Sequence, residues 1–266
     1  MPISVDQAGM QPVRTRPYRW RLSGSFVAHL FKAATQQHHR ALAQTIARLV
    51  PAAGVVLDVG AHAGQFTKLF ARAARVGRVY AFEPGSYARS ILRAVVWLHR
   101  LGNVEIVPVA LGAADGLARL NIPLKNSGSY GFGLSHLGAP VDRWRAVAEE
   151  LVALTTIDAV AATLALSRVD FIKADIEGWE LSLLHGAEQT LRRFRPVLLI
   201  ELSQAHLARA GDRLGDAFAF MEGLGYAAFE LAPGGELNPV ATSHDGDFWF
   251  LPLGDIKPRL AGAPGW

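Results

Sequence analysis

Val55-Val-Leu-Asp-Val-Gly-Ala-His-Ala-Gly-Gln-Phe-Thr67 is an apolar run that ends in an acid, a turn with two glycines, and the opening of an amphipathic helix. Beyond it, Val79-Tyr-Ala-Phe-Glu-Pro84 is a second apolar run that ends in Glu83, 19 positions after Gly64. An open parallel sheet holds a nucleoside with this pair of signals. The first turn brings backbone against the ligand, and the acid at the next strand end receives two ribose hydroxyls.

Two cofactor classes compete for such an arrangement. A nicotinamide dinucleotide sets its pyrophosphate on a helix N-terminus reached through Gly-x-Gly-x-x-Gly. Here His62 stands at the second glycine position and Gln65 follows Gly64 directly. Asp58, just before the turn, would repel a diphosphate but suits a ligand carrying an ammonium and a sulfonium. The pattern Asp-x-Gly-x-x-x-Gly therefore points to S-adenosylmethionine. The cofactor-binding candidates are Asp58, Gly60, Ala61, His62, Gly64, Phe66 and Thr67 in and behind the turn, with Glu83 and Pro84 at the next strand end.

Around this centre the chain alternates strand and helix, as a doubly wound α/β sheet requires. The spacing predicts strand 55–59, helix 65–75, strand 79–83, helix 86–100 and a strand over 103–109. The turn Val109-Ala-Leu-Gly112 is where adenine should lie, with Ala110 and Leu111 offering backbone amides and an apolar face. Residues 117–122 read as a short added strand or hairpin arm. Residues 123–150 read as irregular, and the glycines between Asn126 and Gly138 suit a loop that covers the cleft and helps to choose the acceptor. Thr156 caps a helix to about residue 166. Strand 169–175, helix 180–193, strand 197–201, helix 212–224 and strands 226–231 and 247–251 complete the pattern, with a hairpin or loop at Pro233-Gly-Gly235. Before Pro51 lie an arm, residues 1–23, and one or two helices over 26–50. The division is thus an N-terminal arm and helical cap, 1–50, and a cofactor-binding domain, 51–266.

Composition narrows the classes. Of 266 residues half are hydrophobic, enough for a full core, and no apolar run approaches the ~18 residues that span a bilayer. Cysteine is absent, which excludes disulfides and thiolate chemistry and is compatible with a cytoplasmic protein. A net charge of +4 invites a nucleic-acid reading, but the arginines are spread through alanine-rich helices and nucleic acid is not the expected partner. The exception is the arm, where Arg14, Arg16, Arg19 and Arg21 accompany Tyr18 and Trp20. It could touch phosphate or an acidic lipid surface. An arm of this kind more often packs across its own domain or a partner subunit, as in a homodimer.

The second dense signal is Phe171-Ile-Lys-Ala-Asp-Ile-Glu-Gly-Trp-Glu180. Lys173 and Asp175 share a strand face because side chains repeat every second residue. Glu177 follows in a turn, and Glu180 opens the helix, where it can cap it. Glu201 ends the next strand. Ligands in open α/β sheets lie outside the carboxyl ends of the strands, so Asp58, Glu83, Lys173, Asp175 and Glu201 converge on one edge if these strands are neighbours.

These pieces resemble the FkbM-type S-adenosylmethionine-dependent methyltransferases from about Val55 to Leu251. The resemblance rests on Leu-Asp-Val-Gly-Ala-His-Ala-Gly64, Ala-Phe-Glu-Pro84, Val-Ala-Leu-Gly112, Thr-Ile-Asp158, Ile-Lys-Ala-Asp-Ile-Glu-Gly-Trp-Glu180 and Leu-Ile-Glu-Leu202. It implies a class I, Rossmann-like fold, with a mostly parallel doubly wound sheet, one antiparallel strand and an N-terminal helical extension. It also implies methylation of a hydroxyl oxygen on a sugar, a glycan or a glycosylated or polyketide-like small molecule.

A sulfonium-bound methyl is already activated, so the protein must align an oxygen with it and exclude water. A sugar hydroxyl is weakly acidic, so a base should take its proton. Asp175, Glu177 and Glu201 are the carboxylate candidates, with Lys173 balancing charge or moving a proton. His244 is the imidazole candidate, and His206, five residues past Glu201, a weaker one. Asp175 also serves the cofactor's amino-acid end. Asp175 and Glu201 could offer oxygen ligands to Mg²⁺, but no third ligand of fixed spacing accompanies them, so a metal is not expected. Ribose 2′-O-methylation of RNA, modification of another macromolecule, and a non-enzymatic cofactor-binding scaffold remain the alternatives.

Overall fold

The computed structural model describes residues 14–17, 24–37, 39–123, 135–137 and 146–254. In chain order its elements are β1 (Arg14–Pro17), α1 (Gly24–Thr35), α2 (Ala43–Leu49), β2 (Val55–Val59), α3 (Gln65–Ala73), β3 (Arg78–Phe82), α4 (Ser86–Leu98), β4 (Val104–Val107), β5 (Ala110–Leu111), β6 (Gly116–Pro123), β7 (His136–Leu137) and β8 (Ala146–Thr155). There follow α5 (Ile157–Thr163), β9 (Phe171–Ala174), α6 (Glu180–His185), α7 (Glu188–Phe194), β10 (Val197–Leu202), α8 (Gln204–Leu207), α9 (Leu214–Gly223), β11 (Tyr226–Leu231), β12 (Leu237–Pro239) and β13 (Gly246–Pro252).

The main sheet has the order β12-β11-β13-β10-β9-β2-β3-β4. Strands β4, β3, β2, β9 and β10 are parallel to one another, and β13 inserts antiparallel between β10 and β11. A three-residue strand, β12, pairs antiparallel outside β11, in the segment that reads as loop. The chain leaves β2 toward β3 and β4, then returns to β9 on its other side, so β2 and β9 flank the switch point where open α/β sheets bind ligands.

Alternating side chains divide the core. Leu57, Ile172, Leu198, Ile200, Phe248 and Phe250 face α6 and α9 on one side. Val56, Val79, Phe171, Leu199 and Trp249 face α2 and α3 on the other. Strands buried on both faces read as continuous apolar runs, which is why these short segments are visible in the sequence.

Two expectations need correction. Within the segment 123–150 expected to be irregular, residues 136–137 and 146–150 are strand, the latter opening β8. β8 pairs antiparallel with β6 from Gly116↔Leu154 to Pro123↔Val147, and β7 pairs with β6 through Leu120↔Leu137 and Asn121↔His136. Strand β1 of the arm lies parallel to β8, so part of the arm belongs to this second, smaller sheet. Second, the helix expected over 180–193 is broken at Gly186-Ala187. A Cβ on Gly186 would lie 1.9 Å from the Gly112 carbonyl oxygen, so the break admits the turn after β5. Asp158 then accepts from the amides of Gln189 and Thr190 at 3.0 and 2.7 Å, starting α7 afresh. The helices of the cap cover the sheet and α4. Ile46 and Leu49 of α2 pack on the sheet face, and α1 packs on α4 through Phe26 against Tyr87, with ring centroids 5.8 Å apart. The remaining arm residues, 1–13 and 18–23, and residues 124–134 and 138–145 of the expected covering loop lie outside the described residues.

Candidate active site

The glycine turn is built for close approach. Gly60 adopts φ +70°, and a Cβ there would sit 2.1 Å from the Asp175 carbonyl oxygen. The amides of Gly60 and Ala61 both donate to the Phe82 carbonyl, at 3.1 and 3.0 Å, which locks the turn to the end of β3. His62 also has positive φ, +48°, and its amide donates to Oε2 of Glu83 at 2.9 Å. Gly64 caps α3 in the left-handed region, φ +85°, where its missing side chain makes room for Leu92.

Glu83 receives a second amide, that of Gly85, on Oε1 at 2.8 Å. Its carboxyl is buried, and burial pushes its pKa up against the opposing pull of His62 and these amides. Arg89 binds the carbonyl oxygens of Glu83 and Pro84 from below. The position of Glu83 is therefore fixed almost wholly by backbone.

Asp58 lies fully buried behind the turn. Thr67 donates to its Oδ2 at 2.6 Å, and its Oδ1 is 4.0 Å from Lys173 Nζ with no hydrogen-bond partner among the described residues. Burial raises its pKa, against the Lys173 charge. Thr67 thus serves Asp58. Phe66 does not reach the cleft either: its ring lies under the Lys173 ammonium, 5.1 Å from nitrogen to centroid, and stacks on His39 at 4.3 Å.

At the ends of β9 and β10 the charges meet. Lys173 is buried and donates to the Gly60 carbonyl at 2.9 Å, and its Nζ lies 3.4 Å from Asp175 Oδ2. Burial resists ionisation of Asp175, but Lys173, then His62 and a hydrogen bond shared with Glu201, hold that carboxyl down at about 2. Glu201 shows the reverse: although its side chain is exposed at the strand end, partial loss of hydration, then the negative charges of Asp175 and Asp247, push it up to about 8. Asp175 is therefore the more acidic of the pair and Glu201 the less acidic. Asp247, directly across from Glu201 in the β10–β13 register, is a member of the cluster that sequence reasoning missed. Its only signal was the antiparallel pairing of the last strand.

Glu177 occupies the turn after β9 with φ +57°, its Oε2 3.2 Å from Nδ1 of His206 and 3.9 Å from Arg209. His206 therefore joins the rim of the site through Glu177. Glu180 is buried and accepts from the amides of Ile176 and Gly178, so it holds this turn. Burial pushes its pKa up to about 7, against those bonds. His244 stands apart. It is exposed, 2.6 Å from Glu230 on β11, and its pKa is raised by the Thr242 carbonyl and by Glu230.

Between the strand ends and the small sheet runs a narrow cleft, partly open to solvent. One wall holds Gly60, His62, Glu83, Pro84 and Asp175; Val109, Ala110 and Leu111 form its base. The other wall is Leu120, from the expected hairpin arm, with Ser135, His136 and Leu137 from the segment that reads as irregular in sequence. An apolar slot beside one fixed carboxylate, leading to a paired acidic cluster, fits an adenine nucleoside with a cationic tail. Among the described residues no three His, Cys, Asp or Glu side chains assemble a metal site, and no helix is long and apolar enough to cross a membrane.

The family model for the methyltransferase FkbM domain matches residues 58–228. The chain is 28% identical over 214 residues to AMB antimetabolite synthetase AmbE of Pseudomonas aeruginosa, a match covering 69% of this chain and 10% of the synthetase. Among solved structures it is similar to methyltransferase FkbM from Methylobacillus flagellatus, at 17% identity and a TM-score of 0.48, covering 86% of this chain and 56% of that one. It is also similar to an O-methyltransferase from Bacillus cereus, at 13% identity and TM-score 0.48, covering 86% and 91% of the two chains.

Proposed function

The chain belongs to the FkbM methyltransferase family and is an S-adenosylmethionine-dependent methyltransferase, and on that premise we propose that it methylates a hydroxyl oxygen of a sugar, glycan or glycosylated or polyketide-like small molecule. The observation that carries this reading is the meeting, on one cleft, of a carboxylate fixed by backbone, Glu83, and a second carboxylate, Asp175, that lies beside the buried Lys173 and next to Glu201.

When bound, S-adenosylmethionine supplies a methyl already activated by its sulfonium. In the proposal Glu83 accepts both ribose hydroxyls, Ala110 and Leu111 line the base, and Gly60 lets backbone pass close to the amino-acid end. Asp58, held by Thr67, keeps the turn negative. Asp175 stays ionised beside Lys173 and faces positive charge. Glu201, in its ionised form, takes the acceptor's hydroxyl proton on a carboxylate oxygen, and Glu177 and His206 line the acceptor's approach. The apolar walls keep water from competing for that proton.

The test is an untargeted screen. The purified chain is incubated with isotopically methyl-labelled S-adenosylmethionine and with small-molecule, glycan and RNA extracts, and products are read by mass spectrometry. A labelled O-methyl ether on a hydroxylated small molecule or glycan is expected. Label confined to RNA or protein would overturn the acceptor assignment.

A further inference from the structure

We propose that Glu150, which nothing in the family pattern singled out, is a positioning residue for the cofactor: it latches the small sheet over the cleft by capping helix α4. The inference rests on reading this cleft as the cofactor site, which S-adenosylmethionine binding to the unaltered chain tests separately.

Helix α4 begins three residues after Glu83, and its N-cap is Gly85, which has no side chain to satisfy the free amides of the first turn. A larger residue is refused there, because a Cβ on Gly85 would lie 2.9 Å from Oε1 of Glu83 and 3.2 Å from Leu120. The cap is supplied from 64 residues away. Glu150 accepts from the Ser86 amide at 2.9 Å on Oε2 and 3.2 Å on Oε1, and from the Ser86 hydroxyl at 3.1 Å. A carboxylate on a helix N-terminus is held by both the free amides and the helix dipole.

Glu150 belongs to β8 and lies directly across from Leu120 on β6, which in turn lies across from Leu137 on β7. Paired residues point to the same face, so the side that carries the latch also carries Leu120 and Leu137, both of which line the cleft. One carboxylate therefore fixes two things at once: the Gly85-Ser86 backbone that holds the Glu83 carboxylate, and the seat of the opposing apolar wall. Losing it frees the wall to swing away and loosens the amide that orients Glu83, without removing any group that touches the cofactor.

The experiment measures binding of S-adenosylmethionine and of adenosine to Glu150→Ala by calorimetry, together with hydrogen exchange of the β6 amides with and without S-adenosylmethionine. Both ligands should weaken by a similar factor, about tenfold, the size of a lost helix cap felt in binding. Cofactor-induced protection of β6 should fall away with them. A merely structural cap would lower the melting temperature and leave both affinities and the protection unchanged, and that outcome would overturn the proposal. If Glu150→Ala does not fold, Glu150→Gln, which keeps the side chain's length and one acceptor oxygen but loses the charge, is read by the same two outcomes.

Discussion

Glu83 and Glu201 end neighbouring parts of one sheet edge, yet they are held in opposite ways. Glu83 has each oxygen on a backbone amide, and the peptides that donate them belong to the glycine turn and the start of α4. Glu201 faces other carboxylates, Asp175 and Asp247, and its pKa is raised by lost hydration and then by their charges. The first end of the cleft is set by chain geometry and answers to substitutions that move backbone. The second is set by charge and answers to pH and to the arrival of a cation. In the proposed account the first binds and the second reacts.

The largest effect should come from breaking the geometric end. Gly60→Val places branched bulk where even a Cβ would lie 2.1 Å from backbone, at a φ that branched residues avoid. Cofactor binding should be lost beyond detection in calorimetry, and retained affinity would show that the turn is not the site. Next is the charged end: Asp175→Asn and Glu201→Gln keep shape and remove charge and basicity. Turnover should fall ~10²–10⁴-fold, the range of a lost general base, while far-ultraviolet circular dichroism stays unchanged. Wild-type turnover in both would remove them from the mechanism.

Glu83→Ala should weaken cofactor affinity by about ten- to a hundredfold, because each charge-assisted hydrogen bond is worth roughly 1.5–3 kcal/mol and the His62 and Gly85 amides would share part of the loss.

The two ends should also differ in pH dependence. With Glu201 raised to about 8, its basic form is the minor one at neutral pH. Acceptor kcat/KM should therefore rise with pH toward about 8 and level off above it, and Glu201→Gln should flatten that limb. A smaller effect concerns stability. The native chain holds a proton on Glu180 up to about 7, whereas the unfolded chain releases it near the ordinary 4.5. Its contribution is present below 4.5 and is lost as pH rises through 7. Urea midpoints compared at pH 5 and 8 should show that decline, and Glu180→Gln should reduce it.

The geometric end was also the legible one. Asp58, Gly60, Gly64 and Glu83 could be read because a strand, a tight turn and a helix follow one another within a few residues, and each constrains residue type locally. Lys173 and Asp175 were legible for the same reason. The small sheet was not. In Ala146-Val-Ala-Glu-Glu-Leu-Val-Ala-Leu-Thr155 the two glutamates interrupt the alternation, and Leu151 faces solvent while Glu150 turns inward to Ser86. Only pairing with β6, some thirty residues away in sequence, makes this segment a strand. The break at Gly186 and the caps given by Asp158 and Glu150 are likewise tertiary facts, since each depends on a neighbour that the local sequence does not contain. The placing of His244 is a tertiary fact of the same kind. It lies just before the last strand, and its side-chain partner is Glu230 on β11.

The division of labour between the two ends is tested most directly by measuring, on the same preparations, S-adenosylmethionine affinity and turnover of the acceptor found in the labelling screen for Glu83→Ala and Glu201→Gln. The account predicts that Glu83→Ala loses affinity and recovers most of its turnover at saturating cofactor, whereas Glu201→Gln keeps its affinity and loses turnover at every cofactor concentration. Loss of the same quantity in both variants would contradict it.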